Sequence, residues 1–249
     1  MNKIGFLMAL SIGFLPTMAC ATDLTEDFSQ LPSAINVSSD TQDIEVNSAL
    51  DELQKANIAI PDNEVFIVID RNPKSQLLTI VQHMSGDDYQ VIGSSHVSTG
   101  KPGRKEHFVT PIGVFDYNGD ILGYRAEGTF NSNHIRGLGL KGKRAWDFGW
   151  QETDNWKYPG EKTKIRMEMH ATDPANLEHR IGRPDSEGCI RIHADVNEFL
   201  DHYGILDKIP NQLSATDKRW KYLLGKEHKF IPEAGEYYVI VDNNLKEEK

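Results

Sequence analysis

The sequence predicts a β-rich, mixed α/β domain of sandwich or barrel type, with a few helices and one long insertion. Three observations carry this. Short apolar runs recur between clusters of turn-forming residues. Helical periodicity is confined to brief stretches, and there is no internal repeat. Many short strands with few helices bury one face of each strand against a second layer, which is the sandwich or barrel solution.

The elements follow in order. Residues 22–43 are polar and rich in Ser, Thr, Asp and Gln, the composition of a linker or a poorly ordered arm. From Glu45 to Asn57, Val46, Leu50, Leu53 and Ala56 recur at helical spacing. Val65–Ile69 is a dense apolar run bounded by Asp62-Asn63 and Asp70-Arg71-Asn72-Pro73, so it is a buried strand. Gln76–Gln82 is the second strand, after an Asn72–Ser75 turn. Tyr89–Ser98 and His107–Tyr117 are predicted strands, as are Ile165–His170, Cys189–Ile192 and Tyr237–Val241. Helices are predicted over Pro174–Ile181, Ala194–His202 and Ala215–Leu224. Residues 117–164 differ: Gly, Asn, Arg and aromatics, with weak periodicity. A stretch of that length in a compact domain is a functional loop or a disordered one, and its tryptophans argue against disorder. It is expected to form a lid or a groove wall, with Trp146 and Trp150 as candidate substrate contacts.

The N-terminus reads as an export signal over residues 1–21. Lys3 precedes an apolar run, Ile4–Leu15, and Ala19-Cys20-Ala21 fits a small-x-small cleavage site. The run is too short to span a bilayer. A second route would acylate Cys20, but the leucine expected three residues earlier is absent. No later segment has transmembrane length. A net charge of −10 argues against nucleic acid as a partner. The expected organisation is a signal at 1–21, a linker with a short helix at 22–63, a catalytic domain at 64–207, and a C-terminal extension with a final strand at 208–249.

The chain has two cysteines, and export would leave Cys189 alone. A lone thiol flanked by glycine, with a histidine upstream, is a candidate nucleophile. A cysteine attacks as the thiolate and needs a base or positive surroundings. His170 closes the alternating strand Arg166-Met167-Glu168-Met169-His170, where a side chain can be held rigidly at a cleft. Gly188 admits a close backbone approach and is expected to leave N–H groups free as an oxyanion hole. Arg191, two residues beyond Cys189, shares its face in an extended strand.

His170, fifteen intervening residues and Ser186-Glu187-Gly188-Cys189-Ile190-Arg191 together resemble the L,D-transpeptidase catalytic domain, the YkuD-type family of cell-wall enzymes. That family carries histidine, a spacer, then Ser/Thr-His-Gly-Cys and an apolar residue with Arg or Asn. Val97-Ser98-Thr99-Gly100-Lys101 and Thr110-Pro111-Ile112-Gly113-Val114-Phe115 are similar to its strand-and-turn segment. The resemblance implies Cys189 as acyl-enzyme nucleophile and His170 as general base. Ser186 and Gly188 would shape the turn and oxyanion region, with Arg191 in support. The implied substrate is a peptidoglycan stem peptide, with another stem or a wall-linked protein as acyl acceptor, in the periplasm and without cofactor or metal. Glu187 departs from the pattern, where histidine is usual. Its charge should raise the thiol pKa and it removes a possible oxyanion donor, so it either binds a substrate ammonium or marks a chain of weak, altered or lost activity.

Other signals are weaker. Gly100-Lys101 lacks the rest of a phosphate loop, and neither His-Glu-x-x-His nor Cys-x-x-Cys occurs, so no metal site is expected. A Ser186–His–Asp enzyme using Asp173 or Asp185 would leave the thiol unexplained. Two rivals stand beside acyl transfer: hydrolysis through the same thioester, as a carboxypeptidase or amidase, and a catalytically silent wall-binding module.

Overall fold

A computed structural model describes residues 19–158 and 160–243. The expected signal segment lies outside them except for its last three residues, which open the first helix. The elements are α1 (Ala19–Ser29), β1 (Ala34–Ile35), α2 (Ser39–Lys55), β2 (Val65–Asp70), β3 (Leu77–Ser85), β4 (Asp88–Ser98), β5 (Gly113–Asp116), β6 (Tyr124–Arg125), β7 (Arg144–Asp154), β8 (Lys162–Ala171), β9 (Ile190–Ile192), α3 (Ala194–Tyr203), α4 (Lys208–Ser214), α5 (Lys218–Leu224) and β10 (Tyr237–Val241). The predicted mixed, strand-rich class is what the chain adopts.

The strand order is β5-β10-β2-β3-β4-β9-β8-β7-β6, with β1 paired to β4. Two neighbours are parallel, β10 with β2 and β8 with β9; the other pairs are antiparallel. Every residue of β2 is buried because the strand is covered on both faces. Ile67 and Ile69 point into a core shared with Trp146, Met167, Met169, Ile190 and Leu200. Phe66 and Val68 point the other way, against Ala49 and Leu53 of α2. The two halves of the sheet pack on each other, with the rings of Phe148 on β7 and Tyr238 on β10 3.9 Å apart. Burial of these apolar side chains is the main force closing the sheet.

Several expectations are corrected. The polar stretch 22–43 is not an unstructured arm. Leu24 and Phe28 of α1 are buried, Phe28 stacking edge-on against Phe199, and β1 pairs with β4. The C-terminal strand completes the sheet, with β10 lying between β5 and β2, so the sheet runs past the expected domain limit at 207. Residues 174–181 form turns and a single short 3-10 segment, Glu178–Arg180, although Asp173 caps the first turn by accepting from the Ala175 and Asn176 N–H groups. The predicted helix over 215–224 starts three residues later, as α5 with Asp217 capping it, and a further helix, α4, precedes it over residues 208–214. The insertion holds an 11-residue strand, β7. Its entry is fixed by Arg144, fully buried, which pairs with the equally buried Asp207 at 3.2 Å and reaches the Tyr117 hydroxyl at 3.3 Å. An ion pair at that depth persists because each charge has its partner.

Candidate active site

Cys189 sits just before β9, and parallel pairing sets His170 of β8 opposite Arg191 of β9. The thiol is half-buried and the imidazole buried. A ring nitrogen of His170, the Cys189 Sγ and a carboxylate oxygen of Glu168 all lie within 4.8 Å of one another. Glu168 and His170 are two apart on β8, so they project to the same face. These residues line a groove of about 520 Å³ whose other walls come from Arg104, His107 and the 131–138 loop.

The cysteine turn is held by the segment upstream. Ser186 Oγ donates to the Cys189 carbonyl at 2.6 Å and accepts from the Gly188 N–H at 3.1 Å. The Ser186 N–H donates to the Thr99 carbonyl, and Lys101 N–H returns a bond to the Ser186 carbonyl. Thr110 Oγ1 accepts from Gly100 N–H and donates to the Gly188 carbonyl at 2.9 Å. Gln76 fastens Thr99 from behind. The two upstream motifs therefore form a hydrogen-bonded seat for Cys189. Gly188 has φ of +131°, and a Cβ there would lie 2.7 Å from Ile165 Cδ1, so the turn requires glycine.

The resting state is neutral. His170 Nδ1 donates to the Ala171 carbonyl at 2.5 Å, which leaves Nε2 as the acceptor. Burial, aided by Arg191, pulls its pKa down to about 4. Burial also pushes the Cys189 thiol up to about 11, with the Glu168 charge as the second cause and Glu187 a smaller one. Arg191 and a backbone contact at Glu168 oppose this without reversing it. The thiol donates weakly to the Arg166 carbonyl at 3.8 Å, a bond that favours the protonated form. Glu168 is raised above the usual carboxylate range by burial, against the hydrogen bond it receives from Tyr124 Oη at 2.9 Å.

The expected residues come together unevenly. Cys189, His170, Ser186, Glu187 and Arg191 all line the groove. The Gly188 N–H is not free for an oxyanion, because Ser186 Oγ takes it. Arg191 donates to the Asp185 carbonyl and shares Asp185 with Arg180. Trp146 does not contact substrate space: it is 0% exposed and belongs to the core. Trp150 is exposed on β7, opposite Arg166, and is not among the residues lining the groove. The insertion does contribute a wall, but through Asn131, Asn133, Ile135, Gly137 and Leu138. That wall is tied down where Asp173 Oδ2 accepts from the Arg136 N–H at 2.8 Å. Glu168 is the residue sequence reasoning passed over, although its alternation with His170 was visible. Among the described residues, Glu168, His170 and Cys189 are the one set of donors that converges closely enough for a metal ion. The three bring a thiol, an imidazole nitrogen and a carboxylate together at one point of the groove.

This arrangement can form a thioester: a thiol at an open groove, a neutral base beside it, and a rigid turn beneath. A family model described as the L,D-transpeptidase catalytic domain matches residues 64–210. No curated protein matches the chain.

Proposed function

The chain belongs to the L,D-transpeptidase catalytic domain family, and from that premise we propose that it is a cysteine acyltransferase acting on peptidoglycan stem peptides. The observation that supports this most is the accessible Cys189 thiol within 4.8 Å of a His170 ring nitrogen, at a groove able to take an extended peptide. His170 Nε2 takes the Sγ proton as sulfur attacks the carbonyl of the third stem residue. The imidazolium then protonates the departing amine of the terminal D-alanine, leaving a thioester. An acceptor amine attacks that thioester, and His170 carries its proton back to Sγ. With Gly188 N–H engaged by Ser186, the oxyanion contact in this reading falls to the N–H of Cys189 itself. Because the resting pair is neutral, proton transfer accompanies attack and no thiolate is formed beforehand. The apolar run ahead of Ala19 supports export to the periplasm.

The test is to incubate the purified protein with a stem tetrapeptide, with and without an added amine, and to analyse products by mass spectrometry. Loss of D-alanine with formation of a new amide, absent in Cys189→Ala, is the expected result. Loss of D-alanine with water as sole acceptor would make the protein a carboxypeptidase. Failure of Cys189 to acylate with either the peptide or a carbapenem would leave a wall-binding module.

A further inference from the structure

We infer that Glu168 is the residue that receives the acyl acceptor: its carboxylate binds the incoming ammonium beside the thioester and takes its first proton. The inference rests on the acyltransferase reading. Glu168 lines the groove and lies within 4.8 Å of both the sulfur and the base. An amine attacking the thioester carbon must pass through that same space.

The cation that acts on Glu168, Arg166, is engaged elsewhere. The neighbouring arginine on β8, Arg166, gives both its Nε and its Nη2 to Asp147 Oδ2, at 2.8 and 2.5 Å. Among the described residues no Lys, Arg or His forms an ion pair with Glu168. The neutral Tyr124 hydroxyl donates to its Oε1 and fixes the carboxylate's orientation. The charged groups that act on it are Asp147 and Arg166, and the titratable groups within 4.8 Å are Cys189 and His170. A half-buried carboxylate beside a cysteine nucleophile works against the thiolate. It becomes favourable once a ligand brings a positive charge, and a primary ammonium fits the open lone pairs.

The proton count closes. The acceptor arrives as R–NH3+ and passes one proton to Glu168. The freed lone pair attacks the thioester carbon and the C–S bond breaks. A second N–H proton goes to His170 Nε2 and from there to Sγ, restoring the thiol. Glu168 then returns its proton to solvent. The products are the new amide, the free enzyme and one H+.

The test separates acylation from transfer. Wild type, Glu168→Gln and Glu168→Asp are acylated with a carbapenem and followed by intact mass, which reports an intact nucleophile. Each is then given stem tetrapeptide with glycinamide as acceptor, and the ratio of amide product to hydrolysis is measured. The Gln variant should acylate at least as fast as wild type. Its amide-to-hydrolysis ratio should fall tenfold or more, recover partly in Asp, and rise again as pH supplies neutral amine. A ratio within twofold of wild type in Glu168→Gln overturns the inference. If wild type itself never acylates, the acyltransferase reading fails, and the inference with it. If the Gln variant does not fold, wild type decides. Glycinamide, a cation at neutral pH, should outcompete hydroxylamine, which is neutral there and the stronger nucleophile; the opposite order overturns the inference.

Discussion

Removing the Glu168 charge should bring the Cys189 thiol down. The carboxylate and sulfur lie within 4.8 Å of one another. At an effective dielectric of about 20, two unit charges at that distance repel by roughly 3.5 kcal/mol, equivalent to about 2.5 pKa units. Glu168 is half-buried and open to groove water, so roughly 1–2 units is the working expectation. The thiol starts at about 11. In Glu168→Gln it should therefore titrate near 9–10, on the order of the shift just derived. The assay is the pH dependence of iodoacetamide alkylation at Cys189, followed by intact mass. The midpoint is the primary readout. The rate at a fixed pH moves less, because a less basic thiolate is also a poorer nucleophile. With a Brønsted slope of about 0.5, a shift of about 2 units gives only a roughly tenfold gain. Glu187→Gln should move the midpoint in the same direction but less, since Glu187 is the smaller contributor. A Glu168→Gln midpoint equal to or above that of wild type would mean that burial alone holds the thiol protonated. The electrostatic account of the site would then be wrong.

Two further outcomes follow from buried geometry. Glu45 of α2 is buried against Asp70 and hydrogen-bonds Asn243, and burial with the Asp70 charge pushes its pKa to about 9. A folded pKa raised above the unfolded value means that the native state holds the proton longer. The wild type therefore loses stability as pH rises from about 4.5 to about 9, by up to about 1.4 kcal/mol per unit. Glu45→Gln mimics the protonated form, so urea unfolding should find it more stable, by up to about 3 kcal/mol at pH 7, with the difference vanishing near pH 4. A difference that stays flat with pH would show that Glu45 is ionised in the fold. Gly188→Ala should reduce acylation of Cys189 by carbapenem a hundredfold or more. The new methyl meets Ile165 at 2.7 Å, and the φ of +131° is strained for any other residue. Acylation within threefold of wild type would contradict the requirement for this turn.

The sequence signals that succeeded and those that failed differ in how charge is buried. Val65–Ile69 and Tyr237–Val241 were legible because their side chains are apolar on both faces. β7 was not. Its Arg144 and Asp147 are buried, which breaks apolar alternation, and only their partners Asp207 and Arg166, distant in sequence, make that tolerable. A register shift between Asp147 and Trp150 erases the period further. Trp146 was misread for the same reason: with no visible strand around it, an aromatic in a long insertion suggested a groove wall, and nothing local announced the core. In α1 the polar composition hid Leu24 and Phe28, whose spacing of four puts both on the buried face. At the site, Cys189, His170 and the Ser186 turn could be read from residue type and order. The engagement of Gly188 N–H by Ser186 could not, since it depends on a rotamer.

The resting electrostatics bear on how the Cys189 thiol would endure in the oxidising compartment to which the proposed export leads. Oxidants attack the thiolate, so a cysteine held protonated is slow to oxidise. Two carboxylates, Glu168 and Glu187, oppose the thiolate here, and burial adds to them. The cations nearby are largely committed, with Arg180 and Arg191 sharing Asp185 and Arg166 bound to Asp147. A histidine in place of Glu187 would shift this balance toward a reactive sulfur. The glutamate shifts it toward a protected one, whose attack depends on proton transfer to His170 in the same step. On that argument Glu187→His should speed both alkylation and peroxide oxidation of Cys189, while the ratio of amide product to hydrolysis, assigned to Glu168, stays within twofold of wild type. Faster alkylation without faster oxidation would separate the two and remove protection as the reason for the glutamate.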